Sequence, residues 1–395
     1  MTALIASYAR TPFTKFTGQP HDLLADQPAT ALGSHAAKAA IERAGITPDQ
    51  IDQVVFGQVM QAGAGENPAR QTAAGAGVPK TVPAITLNAV CLSGLEAVAQ
   101  AARLINAGEA EIVLAGGQES HSQVPHVINL RASAGRGDAT LVDLIDLDGL
   151  QDMFYNINMV QLTEQGNKEL GVSREEQDAY TVESQRRVAE FADWRNEEIA
   201  PFPGAAKDGG DLASDNSGHA GTTMEGLAKL RPLLGGEKDT ITPGNTGPLA
   251  NGAGALVIVS EEAAEKYGMT PIARIEATAF VAGPEDNTYL HSQPSHAISA
   301  ALEKIGATPD ELVAAEINEP FALVGLQSAR DLGLAPEVVN PHGGALGLGH
   351  PLGATGARII GTLARELKDA GPGSLGAAAA CGGGGQGSAV LLRAL

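Results

Sequence analysis

Three side chains in this sequence are of types that make and break carbon–sulfur bonds, and each sits among glycines. Cys91 lies in Asn88-Ala-Val-Cys-Leu-Ser-Gly-Leu95, and Cys381 begins Cys381-Gly-Gly-Gly-Gly-Gln-Gly387. These are the only two cysteines in 395 residues. His350 lies in Gly347-Leu-Gly-His-Pro-Leu-Gly-Ala-Thr-Gly356. A thiolate is a good nucleophile, an imidazole can take its proton, and a second thiol can relay another. That inventory suits acyl transfer through a thioester.

The settings of the three sharpen this reading. Cys91 stands just before a helix predicted over 92–106, whose Leu92, Leu95, Ala99, Ala102 and Ile105 form one apolar stripe opposite Glu96, Gln100 and Arg103. A cysteine there feels the positive end of the helix dipole and free backbone N–H groups, which favour thiolate and can hold an oxyanion. A lone cysteine is more often an inert small apolar residue. Ser93 and Gly94, too small to block an approaching substrate, favour function. His350 precedes a second helix, 351–369, and the same dipole would keep its imidazole neutral and able to act as a base. Cys381 follows a strand and leads into four glycines, which allow close backbone approach. Asn318 ends a strand, where polar residues often face a ligand crevice; as an isolated signal it reads more readily as a turn residue.

The elements that position these groups repeat. In the first half, strands are expected at 3–8, 53–56, 84–88 and 112–115, with helices at 28–44, after Asn67-Pro68, and at 92–106. In the second, strands are expected at 272–282, 313–317, 337–340, 375–380 and 388–392, with helices at 295–305, 322–332 and 351–369. The order is β-α-β-α-β-α-β-β, used twice. The first half lacks its last strand until 252–259, so 117–250 reads as an insertion, giving halves 1–268 and 269–395. The insertion is polar and turn-rich, with breaker clusters at 207–211 and 215–218. It holds one amphipathic helix over 173–195, opened by a capping box of Ser173 and Glu176. Matching halves put Cys91 and His350 at equivalent helix N-termini, which converge if the halves pack about a pseudo-twofold axis.

Composition sets outer bounds. Hydrophobic residues make up 43% and glycines number 49, which suits an α/β fold with tightly packed small side chains. The net charge of −20 argues against nucleic-acid and anionic-membrane partners. No segment is long and apolar enough to span a bilayer, and no secretory leader is visible. Two cysteines without a Cys-x-x-Cys pattern give no disulfide framework and no structural zinc site, and suit a reducing cytoplasm.

With these residues placed, the chain resembles a thiolase over nearly its full length. The resemblance rests on Gly57-Gln-Val-Met-Gln-Ala-Gly-Ala-Gly-Glu-Asn-Pro-Ala-Arg70, the Cys91 segment, Gly116-Gly-Gln-Glu-Ser120, Asn318-Glu-Pro-Phe-Ala322, Asn340-Pro-His-Gly-Gly344, Gly349-His-Pro-Leu-Gly-Ala-Thr-Gly-Ala-Arg358 and Cys381-Gly-Gly-Gly-Gly385. It implies a five-layered αβαβα fold and a fatty-acid-metabolism enzyme that forms or cleaves 3-ketoacyl-CoA. Cys91 would take the acyl group and His350 would activate that thiol. Cys381 would remove a proton from the methyl of a second acetyl-CoA. Backbone N–H groups of Cys91 and Gly383 would make one oxyanion hole, and His350 with a water on Asn318 the other. Coenzyme A contacts would fall to Leu150, Asn158, Met159, His219, Gly247 and Phe321. The substrates would be acyl-CoA and coenzyme A, with no metal or redox cofactor, in a homodimer or homotetramer.

The chain departs from the family pattern where coenzyme A is cradled. Asn158 stands where many members have histidine, Gly247 where serine is common, His219 near a usual arginine, and Pro320 in a motif usually written Asn-Glu-Ala-Phe-Ala. These changes bear on acyl-chain preference and on the thiol carrier. Lys207, Lys229 and Arg231 are the candidate cations for coenzyme A phosphates. Two other readings are a decarboxylating ketoacyl synthase, against which Cys381 speaks because that chemistry uses a second histidine, and a non-catalytic acyl-CoA-binding or scaffold subunit.

Overall fold

The computed structural model describes residues 2–19, 21–128, 130–133, 137–216 and 218–395; Ser217, in the second breaker cluster, lies outside them. The first half comprises β1 (Ala3–Arg10), α1 (Ala29–Ala44), β2 (Gln53–Gly57), α2 (Pro68–Gly75), β3 (Ala84–Leu87), α3 (Ser93–Asn106) and β4 (Ile112–Glu119). The insertion contributes α4 (Met159–Leu170) and α5 (Arg174–Glu190), and β5 (Ala250–Ser260) then completes the first half's sheet. The second half comprises β6 (Ala273–Ala282), α6 (Gln293–Ile305), β7 (Leu312–Ile317), α7 (Ala322–Leu332), α8 (Leu352–Ala370), β8 (Leu375–Gly382) and β9 (Gln386–Ala394). Helices α1, α6 and α7 stop at Gly45, Gly306 and Gly333, with φ of 72°, 68° and 65°. Only glycine takes that left-handed conformation without strain, so these ends are written in the sequence.

Strand order is β7-β8-β9-β6-β1-β5-β4-β2-β3. The halves join where β1 and β6 pair antiparallel through Leu4 and Arg274 and through Ile5 and Ala273. Outward from that seam each half repeats one order, β1-β5-β4-β2-β3 and β6-β9-β8-β7. The 337–340 segment occupies the place equivalent to β3, but the strand expected there is reduced to one parallel bridge between Ala315 and Val339. Asn340 ends the ladder. At φ 45° its side chain accepts the Ile317 N–H (2.7 Å) and donates to the Ile317 carbonyl (2.9 Å).

The core divides into layers. Leu32, Ala36 and Ala40 of α1 pack on Val54, Phe56 and Leu114 over one outer face. Ala297, Ile298 and Ala301 of α6 pack on Ile317, Ala377 and Leu391 over the other. Between the sheets, Leu95, Val98 and Ala102 of α3 meet Ile359, Ile360 and Leu363 of α8. The result is the expected αβαβα stack, with α3 and α8 as its middle layer. Among the described residues no helix is long and apolar enough to cross a membrane.

The insertion differs from its expected helix. The Ser173 capping box forms, but helix 173–195 breaks at Phe191 into α5 and a short turn, Ala192–Asn196. The buried face of α5 is mostly polar: Gln177, Asp178, Thr181, Ser184 and Gln185, with Val188. Tyr180 and Ser184 donate to Glu319 (2.9 and 3.0 Å), and Gln185 donates to the Leu346 carbonyl (2.7 Å). The helix is held by directed bonds to the strand end that carries Asn318, not by an apolar stripe.

Candidate active site

Two glycine contacts bring the N-termini of α3 and α8 together. A methyl group on Gly356 would stand 2.0 Å from the Leu95 nitrogen, and one on Gly94 would stand 2.6 Å from the Gly353 carbonyl oxygen. Backbone therefore touches backbone where the helices meet. Gly94 serves this close approach, not substrate access as its size suggested. Cys91 precedes Leu92, the N-cap of α3, and His350 precedes Pro351, the N-cap of α8. The repeat thus places both side chains at the same helical position, on the same side of the middle layer.

Cys91 is presented on a strained turn. Val90 has φ 54°, which a β-branched side chain adopts at a cost of about 1–3 kcal/mol. Neighbouring side chains compensate. Asn88 Oδ1 accepts the Val90 N–H (2.9 Å), and Ser93 Oγ accepts from Ala89 N–H (2.9 Å) while donating to the Val90 carbonyl (2.6 Å). The thiol ends half-buried, facing a cavity.

His350 is held without such strain. Its N–H donates to the Pro248 carbonyl (2.7 Å), and it bridges in parallel to Leu249. Nδ1 lies 2.7 Å from Thr355 Oγ1, whose own proton goes to the Pro351 carbonyl (3.0 Å). With that proton committed, the hydroxyl accepts from Nδ1–H, so the lone pair falls on Nε2. Asn318 Nδ2 approaches Nε2 at 3.4 Å, and Asn318 Oδ1 is buried with no partner among the described residues.

One cavity of about 300 Å³ gathers the chemistry: Cys91, His350, Cys381 and Gly383 all line it. Its wall is otherwise largely apolar, as ligand pockets usually are. Leu150, Asn158, Met159, Gly247 and Phe321 line it as expected. Asn318 stands behind His350, outside the lining. His219 lines a neighbouring cavity instead, and Lys207, Lys229 and Arg231 are exposed and line neither. Cys381 lies within β8 rather than after it, and Gly384 and Gly385 make the turn beyond with φ of 82° and 70°.

The departures from the family pattern have local reasons. Asn158 caps α4, its Oδ1 accepting the Val160 N–H at 2.9 Å. Gly247 donates its N–H to the Pro320 carbonyl (3.0 Å), and a side chain there would meet the Glu319 carbonyl at 2.5 Å. Residues 247 and 320 are thus one contact, and that stretch of wall is bare backbone and a proline ring.

Electrostatics correct two expectations. Burial pushes the Cys91 thiol up to about 12, against the pull of its own N–H and that of Gly383, while Glu119 raises it further. Burial also holds His350 down to about 3, aided by His121 and Arg358. Desolvation is the largest cause of both shifts: it keeps the imidazole neutral, and at the thiol it outweighs the pull of the two N–H groups. Cys381 is raised by burial and then by the nearby Cys91. All three groups therefore rest uncharged, with a lone pair on the base.

The motif Gly116-Gly-Gln-Glu-Ser120 had no assigned role. Glu119 is fully buried and accepts N–H bonds from Val59 (3.0 Å), Met60 (3.1 Å) and Gly353 (3.0 Å). It ties the 59–60 loop to the first turn of α8. Thr355 and Lys15, which lines the cavity, were likewise missed. A hydroxyl at i+5 from a histidine was the available hint for Thr355; nothing local marked Lys15.

Residues 3–262 match the model of the thiolase N-terminal domain, and residues 269–394 that of the thiolase C-terminal domain. The chain belongs to the thiolase family, and it is an acyltransferase. It is 43% identical to a probable acetyl-CoA acetyltransferase of Mycobacterium leprae, covering 100% of both chains. It is 41% identical to the acetyl-CoA acetyltransferase of Cupriavidus necator, over 99% of this chain and 98% of that one. The crystal structure of human mitochondrial 3-ketoacyl-CoA thiolase in complex with CoA superposes with a TM-score of 0.93 at 35% identity, over 100% of this chain and 98% of that chain.

Proposed function

We propose that the enzyme condenses two acetyl-CoA to acetoacetyl-CoA, or runs the reverse cleavage, through an acyl group carried on Cys91. The observation that carries this is the meeting of Cys91, His350 and Cys381 in one cavity. His350 Nε2 takes the thiol proton as sulfur attacks the thioester carbon. The oxyanion develops beside the N–H groups of Cys91 and Gly383, and the proton passes to the departing coenzyme A sulfur. His350 Nε2, again with a free lone pair, then takes the Cys381 thiol proton, and the Cys381 thiolate takes a proton from the methyl of the second acetyl-CoA. The resulting carbanion, its oxygen held by the now protonated His350 Nε2 and a water on Asn318 Oδ1, attacks the Cys91 thioester carbon; the bond from that carbon to sulfur breaks, and the Cys91 sulfur takes the proton from His350. Sulfur, imidazole and backbone donors supply these steps, without a metal or redox cofactor.

Coenzyme A thioesters as substrates are supported by the coenzyme A bound to the human relative and by the names of the bacterial ones. A role in fatty-acid metabolism fits the interconversion of acetyl-CoA and acetoacetyl-CoA proposed above. Two free thiols support a reducing, cytoplasmic setting. A homodimer or homotetramer is supported by the sheet edges. Residues 338–340 cover β7, whereas β3 has no strand partner on its outer side among the described residues and leaves Ile85 49% exposed. We also divide the chain at 268/269, with 117–250 inserted in the first half.

Mass spectrometry after incubation with labelled acetyl-CoA tests the assignment. Wild type is expected to carry the label on Cys91. Cys91→Ser carries none, and Cys381→Ala acylates but forms no acetoacetyl-CoA. A label on another residue, or equal loss of acylation in both variants, would overturn it.

A further inference from the structure

We propose that Lys15 anchors an anionic group of the thioester substrate: a phosphate of the coenzyme A moiety, or a carboxylate at the far end of the acyl chain. The assignment rests on the acyl-enzyme reading above and adds to it the source of charge recognition in a strongly acidic protein.

The fold brings Lys15 to the site through backbone pairing. The two-residue strand Thr14–Lys15 pairs with β5, Lys15 opposite Ala250, and the Phe16 N–H donates to the Leu249 carbonyl at 2.8 Å. Leu249 in turn bridges to His350. Lys15 therefore lies two strand spacings from the base, about 10 Å across the backbone. Lys15 lines the catalytic cavity and also a second cavity of about 190 Å³ that includes His219, Thr222 and Leu230. The two cavities share the wall formed by Pro243, Thr246 and Pro248, so Lys15 stands at their seam.

The charge pattern there is unlike the rest of the chain. Acidic residues outnumber basic ones 46 to 26, yet no aspartate or glutamate lines either cavity. Among the described lining residues Lys15 is the sole lysine or arginine. Its backbone N–H is bonded to Asn216 Oδ1 (2.8 Å), but its ammonium group makes no ion pair or hydrogen bond among the described residues. Lys15 is half-buried between largely apolar walls, and its ammonium has no counter-charge among the described residues, so an anion entering either cavity would be its partner for a charge-assisted hydrogen bond. Lys207, Lys229 and Arg231 are exposed and line neither cavity.

Calorimetric titration with three ligands tests this: pantetheine, which has no anionic group; coenzyme A; and a carboxyalkyl thioether of pantetheine. Wild type is expected to bind at least one anionic ligand tenfold or more tighter than pantetheine, about the size of one charge-assisted hydrogen bond. Lys15→Met removes that margin and Lys15→Arg keeps most of it. Should Lys15→Met fold poorly, the wild-type margin is still expected to shrink as salt is raised, while pantetheine binding holds. A margin on coenzyme A identifies the phosphate; a margin on the carboxyalkyl thioether identifies an acyl carboxylate and a preference for dicarboxylic acyl groups. Equal binding of all three by wild type, or a margin unchanged in Lys15→Met, overturns the proposal. Because binding is read apart from turnover, failure to label Cys91 would strike the acyl-enzyme reading alone.

Discussion

The turn before α3 and the turn before α8 occupy the same place in the two halves, yet they are built in opposite ways. The Cys91 turn is strained at Val90, braced by Asn88 and Ser93, and partly open to the cavity. The His350 turn is buried, hydrogen-bonded to Pro248, and aligned from behind by Thr355. A nucleophile must protrude toward its substrate, and protrusion costs backbone strain. A base must keep one tautomer and stay neutral, which burial and a committed hydroxyl supply. The repeated element order sets the shared position, and the different surroundings set the separate tasks.

The largest effect is expected from removing the base. His350→Gln is predicted to lower turnover by about 10²–10⁴-fold, the usual contribution of general acid–base catalysis. It also carries a pH signature. Folded His350 titrates at about 3, below its ordinary value of 6.5. Between these values the unfolded chain binds a proton that the folded chain refuses, so stability falls as pH drops through that window. His350→Gln is expected to make urea midpoints less sensitive to pH there, although His121 and His291, both held near 4, keep their share. An unchanged slope would show that His350 is not buried neutral.

Next in size is the contact that makes the two turns meet. Gly356→Ala places a methyl group 2.0 Å from the Leu95 nitrogen. Overpacking of this kind costs about 1–3 kcal/mol. A lower urea midpoint should therefore accompany loss of turnover as α8 moves away from Cys91. Full stability with full activity would mean the helices do not need backbone contact.

The smallest of the three isolates the alignment of the base. Thr355→Val removes the acceptor for Nδ1–H and is predicted to reduce kcat by about tenfold, the worth of one buried hydrogen bond. Thr355→Ser restores it. Equal rates in valine and serine variants would leave the tautomer to some other partner.

Much of the middle layer was readable in advance. Helix 92–106 and helix 351–369 appear within a residue or two of their expected bounds, because apolar periodicity and glycine stops are local signals. The segment 337–340 has a strand's composition but only one bridge, since pairing depends on what its neighbour offers, and Asn340 occupies that neighbour's groups. Helix α5 misled by its pattern: its buried face is polar because its partners are Glu319 and backbone carbonyls, which periodicity does not reveal.

The residues able to exchange acyl groups and protons, and the doubling that sets them at equivalent helix ends, are properties of the chain itself. Residue type fixes reactivity, and repetition fixes local position. The charge states of the thiols and the imidazole, the carboxylate of Glu119 beneath α8, and the placing of Lys15 at the cavity seam came only from tertiary packing. Desolvation and neighbour geometry act between segments far apart in sequence, so no local pattern records them.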